Sequence, residues 1–210
     1  MEQYNISQLF NIAFGIKNVN AYNVGQLSEK PTGAGFNYSG VNVIENVAEA
    51  SRMSYLGTPI IYPLTFKGKK YKVFDKQGDV VLKKYDEFEL PAATLLSFRR
   101  SKIITKTNSR ASSGSVKELF GFNDWNIDIR GLCLADPSHA NAKTAIDQKI
   151  KLKEFDEIVD SIQVVNDLFN NLDISHLVIE NISFNQLKGK PGVIPFHLKC
   201  SSDEPLELNL

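Results

Sequence analysis

Strict alternation of apolar and polar residues in two separate segments constrains the fold of this chain more than any other feature. Residues 125–130 alternate, and the apolar members are Trp125, Ile127 and Ile129. Residues 193–200 repeat the pattern. A period of two places successive side chains on opposite faces of a strand, so one face enters a core. The pattern predicts a sheet in which Trp125 is largely buried, on the same face as Ile127 and Ile129.

Further strand signals lie on both sides of these segments. Residues 58–107 combine short alternating runs with Gly, Asp and Pro turn residues, which is typical of β-structure. Residues 176–184 form another predicted strand, whose change of parity at Glu180 and Asn181 indicates a β-bulge. Pro195 has no amide hydrogen, so its strand is expected at a sheet edge or with that amide position facing outward.

Residues 153–172 have the clearest helical pattern. Their apolar residues recur at helical spacing, at Phe155, Ile158, Val159, Ile162, Val165, Phe169 and Leu172. A helix of this length covers roughly 30 Å, enough to cross a sheet. We therefore expect an α+β fold, a mainly antiparallel β-sandwich or split barrel packed by one long amphipathic helix. Phe155, Ile162 and Phe169 are expected to pack under the sheet.

The N-terminal quarter of the chain has a different character. Residues 6–16 carry a short apolar stripe, and a helix this short is expected to dock on another element. Residues 18–57 are rich in Gly, Asn and Ser, with weak periodicity, so they are either disordered or an extended arm ordered on a neighbour. Aromatic residues favour the arm. We expect a short helix and an extended assembly arm over residues 1–57 and a β-rich domain over residues 58–210.

Charge is balanced overall but segregated along the chain. The 24 Lys and Arg equal the 24 Asp and Glu, which speaks against a dedicated nucleic-acid binder. Residues 64–110 carry twelve basic and five acidic residues, a net of +7, whereas residues 153–172 carry one Lys and five acids, a net of −4. Such segregation fits packing of one copy against another, and it equally fits two unrelated solvated surfaces.

A search for catalytic and metal-binding patterns finds none. There is no GxGxxG, GxSxG or HExxH motif, and no Cys/His set has zinc-ligand spacing. The three histidines, His139, His176 and His197, are scattered along the chain. Cys133 and Cys200 lie in apolar strands and are expected to be small core residues. The sequence therefore predicts no catalytic residue, no cofactor, no metal and no enzyme activity.

Targeting signals are also missing from the sequence. The N-terminus lacks the basic segment and apolar run of a signal peptide, and no apolar stretch approaches the roughly 20 residues of a membrane span. We therefore expect a protein that is neither classically secreted nor inserted into a membrane.

Two neighbouring motifs carry a family resemblance. Residues 114–118, Gly-Ser-Val-Lys-Glu, and residues 125–131, which begin Trp-Asn-Ile-Asp, resemble a recurring element of bacteriophage tail and baseplate proteins. Over residues 96–208 the order of elements is similar to that of uncharacterised Bacteroidetes phage and prophage proteins classed only as a domain of unknown function. The connection over residues 134–151 looks longer than in that family. The resemblance implies a tail-tube or tube-initiator-like subunit that closes into rings and exchanges loops and arms.

These observations lead to one functional hypothesis and one alternative. The hypothesis is a structural subunit of a phage tail or phage-derived contractile device near the tube–baseplate junction. It is made in the bacterial cytoplasm and carried in the virion. Its partners would be other copies in a six-fold or three-fold ring and other tail or baseplate proteins, with no specific nucleic acid. The alternative is a ligand- or carbohydrate-binding β-sandwich module of a phage fibre.

Candidate assembly contacts come from the arm and from the basic stretch. They are Tyr22, Phe36, Tyr38, Arg99, Arg100, Lys102 and Arg110. Aromatic side chains often dominate interface energies, which favours the first three. The basic residues are predicted either to meet the acidic first half of residues 153–172 on another copy or to face water.

Overall fold

The structure is a computed structural model that describes residues 6–16, 21–23, 41–43, 60–61, 64–91, 93–108, 114–136, 139–187 and 192–204. The helices in these ranges are α1 (Ile6–Phe14), α2 (Ala145–Asp156) and α3 (Asp167–Asn170). The strands in these ranges are β1 (Ala21–Asn23), β2 (Val41–Val43), β3 (Ile60–Ile61), β4 (Thr65–Phe66), β5 (Lys70–Phe74), β6 (Val80–Lys84), β7 (Phe88–Glu89), β8 (Ala93–Asn108), β9 (Ser115–Cys133), β10 (Ile162–Val165), β11 (His176–Phe184) and β12 (Ile194–Ser202).

Ten of these strands form one sheet. Its order is β2-β1-β3-β8-β9-β12-β11-β10-β4-β7, and β5 pairs with β6 in a separate two-stranded sheet. β1 runs parallel to β2 and β3, whereas the other described strand pairs are antiparallel. The expectation of a mainly antiparallel β fold is therefore confirmed.

The centre of the sheet follows the alternation in the sequence. Ile127 and Ile129 of β9 are 1% and 0% exposed, and they face Cys200 and Leu198 of β12. Trp125 is only half-buried, which corrects the expectation that it is largely buried. It precedes Asn126, the first residue of β9 that pairs with β12, so the covering strand ends beside it.

Strands β11 and β12 confirm one prediction and correct another. The register between them shifts between Ile179 and Asn181, which is the predicted bulge. The expectation of an edge position for the Pro195 strand is wrong, because β12 lies between β9 and β11. Phe184 pairs with Phe196 as the last pair of β11, and the Pro195 carbonyl accepts a hydrogen bond from the Asn185 amide at 3.0 Å. The missing amide hydrogen thus falls where the pairing ends, and proline is tolerated there.

The single long helix expected over residues 153–172 is wrong. These residues contain the end of α2, the whole of β10 and the whole of α3. Ile162 and Val164 of β10 are buried while the residues between and after them are exposed, which is a strand period. Val165, which belongs to the expected helical stripe, is exposed.

Local chemistry and strand pairing explain where the helix breaks. Asn166 caps a new helix, because its Oδ1 accepts hydrogen bonds from the Leu168 amide at 2.8 Å and the Phe169 amide at 3.3 Å. The Val159 amide donates to the Lys72 carbonyl at 2.9 Å, which ties the chain after α2 to β5. β-branched residues are frequent in the segment and favour strands, at Ile158, Val159, Ile162, Val164 and Val165.

The apolar positions of this segment still reach the core as expected. Phe155, Ile162 and Phe169 are all buried in the main core cluster. The ring of Phe155 lies 5.1 Å from that of Phe66 and 5.4 Å from that of Tyr85, measured between centroids. The end of α2 is thereby held against β4 and against the residue that follows β6.

The N-terminal helix has a core of its own. Leu9 and Phe10 of α1 are buried, and they pack with a second set of buried residues, Leu132, Leu134 and Val193. The expectation that the short helix docks on another element is confirmed. No helix within the described ranges is both long and apolar enough to cross a membrane.

Candidate assembly surface

Strands β8 and β9 continue together beyond the rest of the sheet. β12 pairs with β9 only from Asn126 to Cys133, and β3 pairs with β8 at Leu95. Residues 101–108 and 115–122 pair with each other, and no third strand pairs with them among the described residues. We call these two segments the ribbon. At about 3.3 Å per residue, eight residues extend roughly 26 Å.

The register of the ribbon contains two irregularities. Lys102 pairs with Phe122, whereas Arg100 pairs with Trp125, so β9 carries one extra residue at the base of the ribbon. A second shift lies between Ile103 and Ile104 and leaves Phe120 as the extra residue of β9. Bulges bend a strand and increase its twist. The first irregularity therefore lies where the ribbon leaves the central sheet, and the second lies within the ribbon.

The ribbon exposes large apolar side chains. Phe120 is 66% exposed and Phe122 is 55% exposed. The other exposed apolar residues of the ribbon are Ile103, Ile104, Val116 and Leu119. Contiguous apolar surface on a protein marks a site that another surface covers. A two-stranded ribbon is also only marginally stable by itself in water.

One face of the ribbon combines these apolar groups with positive charge. In an antiparallel pair, opposite residues share a face and alternate along each strand. The register places the apolar residues Ile104, Leu119 and Phe122 on one face together with Lys102, Lys106 and Lys117. No acidic residue in the described part of the ribbon lies on that face. A complementary surface would carry apolar groups beside carboxylates.

Arg100 anchors the base of the ribbon. Its guanidinium carbon lies 5.1 Å from the centroid of the Phe122 ring and 5.5 Å from that of Trp125. Its Nε donates a hydrogen bond to the Asn123 carbonyl at 2.8 Å. The Asn123 side-chain amide donates to Ser101 Oγ at 2.8 Å. Cation–π contacts and these hydrogen bonds fix how the ribbon leaves the sheet.

The structure places the sequence-predicted contact residues in different regions. Arg99, Arg100 and Lys102 lie together at the base of the ribbon and are exposed. The backbone of Tyr22 pairs with Asn42 of β2 and Ile60 of β3. The remaining candidates, Phe36, Tyr38 and Arg110, lie outside the described residues. The role of all these residues in assembly stays a prediction.

The apolar residues of the ribbon were missed as contact candidates. The signal was present in the sequence, because Leu119 and Phe120 are adjacent and Phe122 follows after one glycine. Adjacent large apolar residues in a strand cannot all face one core. Such a run next to a polar loop indicates a strand that is exposed on both faces until a partner covers it.

The thiols and histidines of the structure take part in packing and hydrogen bonding. Cys133 and Cys200 are buried, as predicted for core residues. Burial raises the pKa of Cys133 to about 12 and also raises the pKa of Cys200. His139 Nε2 lies 2.8 Å from the Glu89 carbonyl, while its Nδ1 accepts from the Ala142 amide at 3.1 Å. The described residues contain no group of three or more His, Cys, Asp or Glu side chains suited to a metal ion.

The outer face of the central sheet carries a separate polar pair. His197 Nε2 lies 2.6 Å from Asp128 Oδ1, and both side chains are about three-quarters buried. His176 is the first residue of β11 and lies beside the end of β12. Its pKa is lowered mainly by burial and, to a smaller extent, by the positive charge of Lys69. The His176 ring has a hydroxyl beside it, because Ser175 Oγ lies 2.9 Å from its Nδ1. The hydrogen bond of the His197 ring is with the Asp128 carboxylate.

Comparisons with known proteins give one family and two remote structural similarities. Two solved chains align, one from a structure described as a virion of a native gene transfer agent particle and the other from the tail of an empty gene transfer agent particle with C6 symmetry. The first has a TM-score of 0.30 and 19% identity, and the second has 0.29 and 18%. Each alignment covers 64% of this chain and 91% of the solved chain. Scores this low do not establish a common fold.

The sequence family rests on a longer match. No curated protein matches the chain. A family model described as a domain of unknown function, DUF6046, matches residues 89–210, which include all of β8 and every later element. The range encloses residues 96–208, where the resemblance to a domain of unknown function was identified. Because the match spans more than half of the 210 residues, the chain belongs to the DUF6046 family.

Proposed function

We propose that the chain is a structural subunit of a bacteriophage tail or a related contractile device, near the tube–baseplate junction. On this proposal it works through contacts between copies in a ring and with other tail proteins, and not through catalysis. The observation that carries the proposal is the ribbon, which leaves the core and exposes apolar side chains on both strands. The family resemblance of residues 96–208 to tail proteins supports the same function.

The ribbon has the properties of an element that is completed by a neighbour. Its strands satisfy each other's backbone groups on one side only, and their outer edges remain open in the described residues. Burying a Phe or Leu side chain is worth about 1.5–3 kcal/mol, so Leu119, Phe120 and Phe122 together supply several kcal/mol on contact. This energy becomes available at assembly, since folding alone leaves these side chains in water.

The acidic residues of the predicted partner surface cluster around the end of α2. Glu154, Asp156, Glu157 and Asp160 lie within seven residues of each other. Burial, and to a smaller extent the negative charge of Glu157, raise the pKa of Asp156. We propose that this cluster on one copy faces the basic side of the ribbon on the next. Each exposed pair adds little energy, so the charges set orientation more than affinity.

Electron microscopy of the parent particle tests the proposal directly. The chain should be present in ring copies, in multiples of six or three, with the ribbon against a neighbouring copy. A purified chain that is monomeric at all concentrations and has a deep aromatic pocket would instead favour the ligand-binding module of a phage fibre. Particles that lack the chain altogether would refute the tail assignment.

A pair of variants tests the ribbon. The double variant Leu119→Ser and Phe120→Ser should unfold within about 0.5 kcal/mol of the wild type, because both side chains are exposed. It should nevertheless fail to enter particles. The matched control is Ile146→Ser with Ile150→Ser, which removes two exposed apolar side chains from α2. Normal incorporation of the ribbon variant would remove the ribbon from the proposed contacts.

A further inference from the structure

The β5–β6 hairpin carries a second exposed surface. Its outer face consists of three pairs of opposite residues, which are Lys70 with Lys84, Lys72 with Leu82, and Phe74 with Val80. Opposite residues of an antiparallel pair share a face, so three lysines lie beside three large apolar side chains. These apolar side chains are 60%, 57% and 66% exposed for Phe74, Val80 and Leu82. A surface that covers this face must be both apolar and acidic.

The inner face of the hairpin anchors that surface to the core. Tyr71 and Val73 lie on the inner face and are buried. The Val159 amide donates a hydrogen bond to the Lys72 carbonyl at 2.9 Å, which ties β5 to the chain after α2. Lys83 also lies on the inner face, opposite Tyr71, and its Nζ is 3.9 Å from Glu157 Oε2. The lysines available to a partner on the outer face are therefore Lys70, Lys72 and Lys84.

One face of the ribbon meets this requirement. The face opposite to Lys102, Lys106 and Lys117 carries Ile103, Thr105, Thr107, Val116, Glu118 and Gly121. We call it the Glu118 face, and we call the face with the three lysines the basic face. The Glu118 face holds the only carboxylate of the described ribbon and no basic side chain. Its apolar groups are Ile103 and Val116, which are 45% and 60% exposed.

The shape of the Glu118 face also suits a partner with large side chains. Gly121 pairs with Ile103. A Cβ added at Gly121 would meet none of the described residues within 4 Å, its chain neighbours aside, so this position has room for a ring such as that of Phe74. The five-residue strands of the hairpin extend roughly 16 Å at about 3.3 Å per residue, which fits within the length of the ribbon.

Charge separates this pairing from the others that the chain offers. The basic face of the ribbon carries no acid and repels the lysines of the hairpin. The acidic end of α2 is assigned to that basic face under the proposed function. An anionic membrane is disfavoured because Asp75 and Asp79 flank the turn, where Asp75 Oδ1 accepts the amides of Gln77 and Asp79 at 2.8 and 2.9 Å.

We propose that the outer face of the β5–β6 hairpin of one copy packs on the Glu118 face of the ribbon of a second copy. Glu118 then lies among the lysines of the hairpin, and the apolar groups of the two faces cover each other. Both faces are exposed in the single chain, so they do not cover each other within one copy. The inference rests on the proposed function, in which copies lie side by side. It uses the opposite face of the ribbon, so the two contacts do not compete.

Cysteine cross-linking of the full chain tests the contact. Cys133 and Cys200 are buried, so an engineered surface cysteine is the reactive thiol of each variant. Leu82→Cys is mixed in turn with single cysteine variants at residues 102–107 under mild oxidation, and mixed dimers are identified by mass. The yield should alternate, with a maximum at residue 103, 105 or 107, because a disulfide requires Cα atoms within about 7 Å.

The cysteine variants at residues 102, 104 and 106 are the matched controls, since they place the thiol on the basic face of the same strand. Their mixed-dimer yield should be low. Absence of a mixed dimer at every position would overturn the proposal. Equal yields at all positions, or a maximum on the basic face, would overturn it as well.

Charge reversal gives an independent measurement. In sedimentation equilibrium, Lys72→Glu or Glu118→Lys alone should weaken self-association about two- to fivefold, and the double variant should restore it to within about twofold. Lys76→Glu is the matched control, because it makes the same change in the turn of the hairpin and should leave the affinity unchanged. Restoration of Lys72→Glu by Asp160→Lys instead of Glu118→Lys would assign the hairpin to the end of α2 and overturn the proposal. Cosedimentation of the wild type, but not of Lys72→Glu, with phosphatidylglycerol vesicles would assign the face to a membrane and also overturn it.

Incorporation into particles separates this inference from the proposed function. If the cross-links fail while Leu119→Ser with Phe120→Ser still blocks incorporation, the hairpin contact is wrong and the proposed function stands. If the parent particles lack the chain, the proposed function fails whatever the cross-links show.

Discussion

Two tyrosines in the aromatic cluster are predicted to respond oppositely to removal of the hydroxyl group. The rings of Tyr71 and Tyr85 lie 5.8 Å apart between centroids, and both side chains are buried. Tyr71 Oη donates to the Lys67 carbonyl at 2.7 Å and accepts from the Gln163 amide at 3.3 Å. Tyr85 Oη is buried and has no hydrogen-bond partner in the described part of the chain.

The sign of each change follows from these contacts. A buried polar group without a partner costs about 1–3 kcal/mol, so Tyr85→Phe should raise the free energy of unfolding by about 1–2 kcal/mol. Tyr71→Phe breaks two hydrogen bonds and leaves a carbonyl and an amide unpaired, so it should lower that free energy by about 1–3 kcal/mol. For a chain of this length each kcal/mol shifts the melting temperature by about 2–4 °C.

Urea unfolding followed by circular dichroism measures both changes. The two variants serve as mutual controls, because each removes one oxygen from a tyrosine in the same cluster. A loss of more than about 1 kcal/mol in Tyr85→Phe would show that this hydroxyl has a partner in solution and would refute the argument. Equal m-values in all three proteins are required, since a changed slope signals a change in the unfolded state or in cooperativity.

Three further predictions concern the core, the thiols and the assembly contacts. Ile162→Ala should lower the free energy of unfolding by about 2–5 kcal/mol in urea, and a loss well below 1 kcal/mol would contradict the buried position of Ile162. The raised pKa of Cys133 should make stability fall as pH rises from the ordinary thiol value of 9.0 towards about 12, by about 1.4 kcal/mol per pH unit for this thiol, and Cys133→Ala should reduce that slope in melts at a series of pH values. Deletion of residues 18–57 should leave a folded chain that does not enter tails. The double variant Arg99→Glu with Arg100→Glu should weaken assembly and reduce the salt sensitivity of assembly. Normal incorporation of either variant into tails would remove the corresponding residues from the proposed contacts.

The strands were predictable from the sequence where one face is buried and the other is wet. Ile127 and Ile129 alternate with polar residues because the sheet around them has one core face, and the structure confirms it. The bulge in β11 was predictable for the same reason, since a change of parity must be absorbed somewhere if both halves face the core.

Periodicity alone could not show that residues 153–172 do not form one helix. Phe155, Ile162 and Phe169 satisfy a helical period and are all buried, yet they lie on three different elements. Pairing of β10 with β4 and β11 decides the matter, and those partners are about 100 and 15 residues away in the chain. Tertiary pairing of this kind leaves no local signal beyond the β-branched residues and the cap at Asn166.

The candidate surface was predictable only in part. The basic residues at the base of the ribbon stand out in the sequence as charges. Among the apolar residues, the adjacent Leu119 and Phe120 give a signal, whereas Ile103 does not, because it alternates with Ile104 and Lys102 on the other face as a core residue would. Their exposure follows from the length of β8 and β9 compared with β12, which a single strand pattern does not reveal.

The ribbon also sets how the free protein behaves before it finds a partner. Exposed apolar strands with open edges are templates for aggregation, and a newly made copy carries its ribbon uncovered. Lys102, Lys106 and Lys117 interrupt the apolar positions along the ribbon and act as gatekeepers, since ribbons of two free copies repel each other through them. That repulsion is screened by salt, with a Debye length of about 10 Å at 0.1 M. Purified protein should therefore stay soluble at low ionic strength and aggregate faster as salt is added.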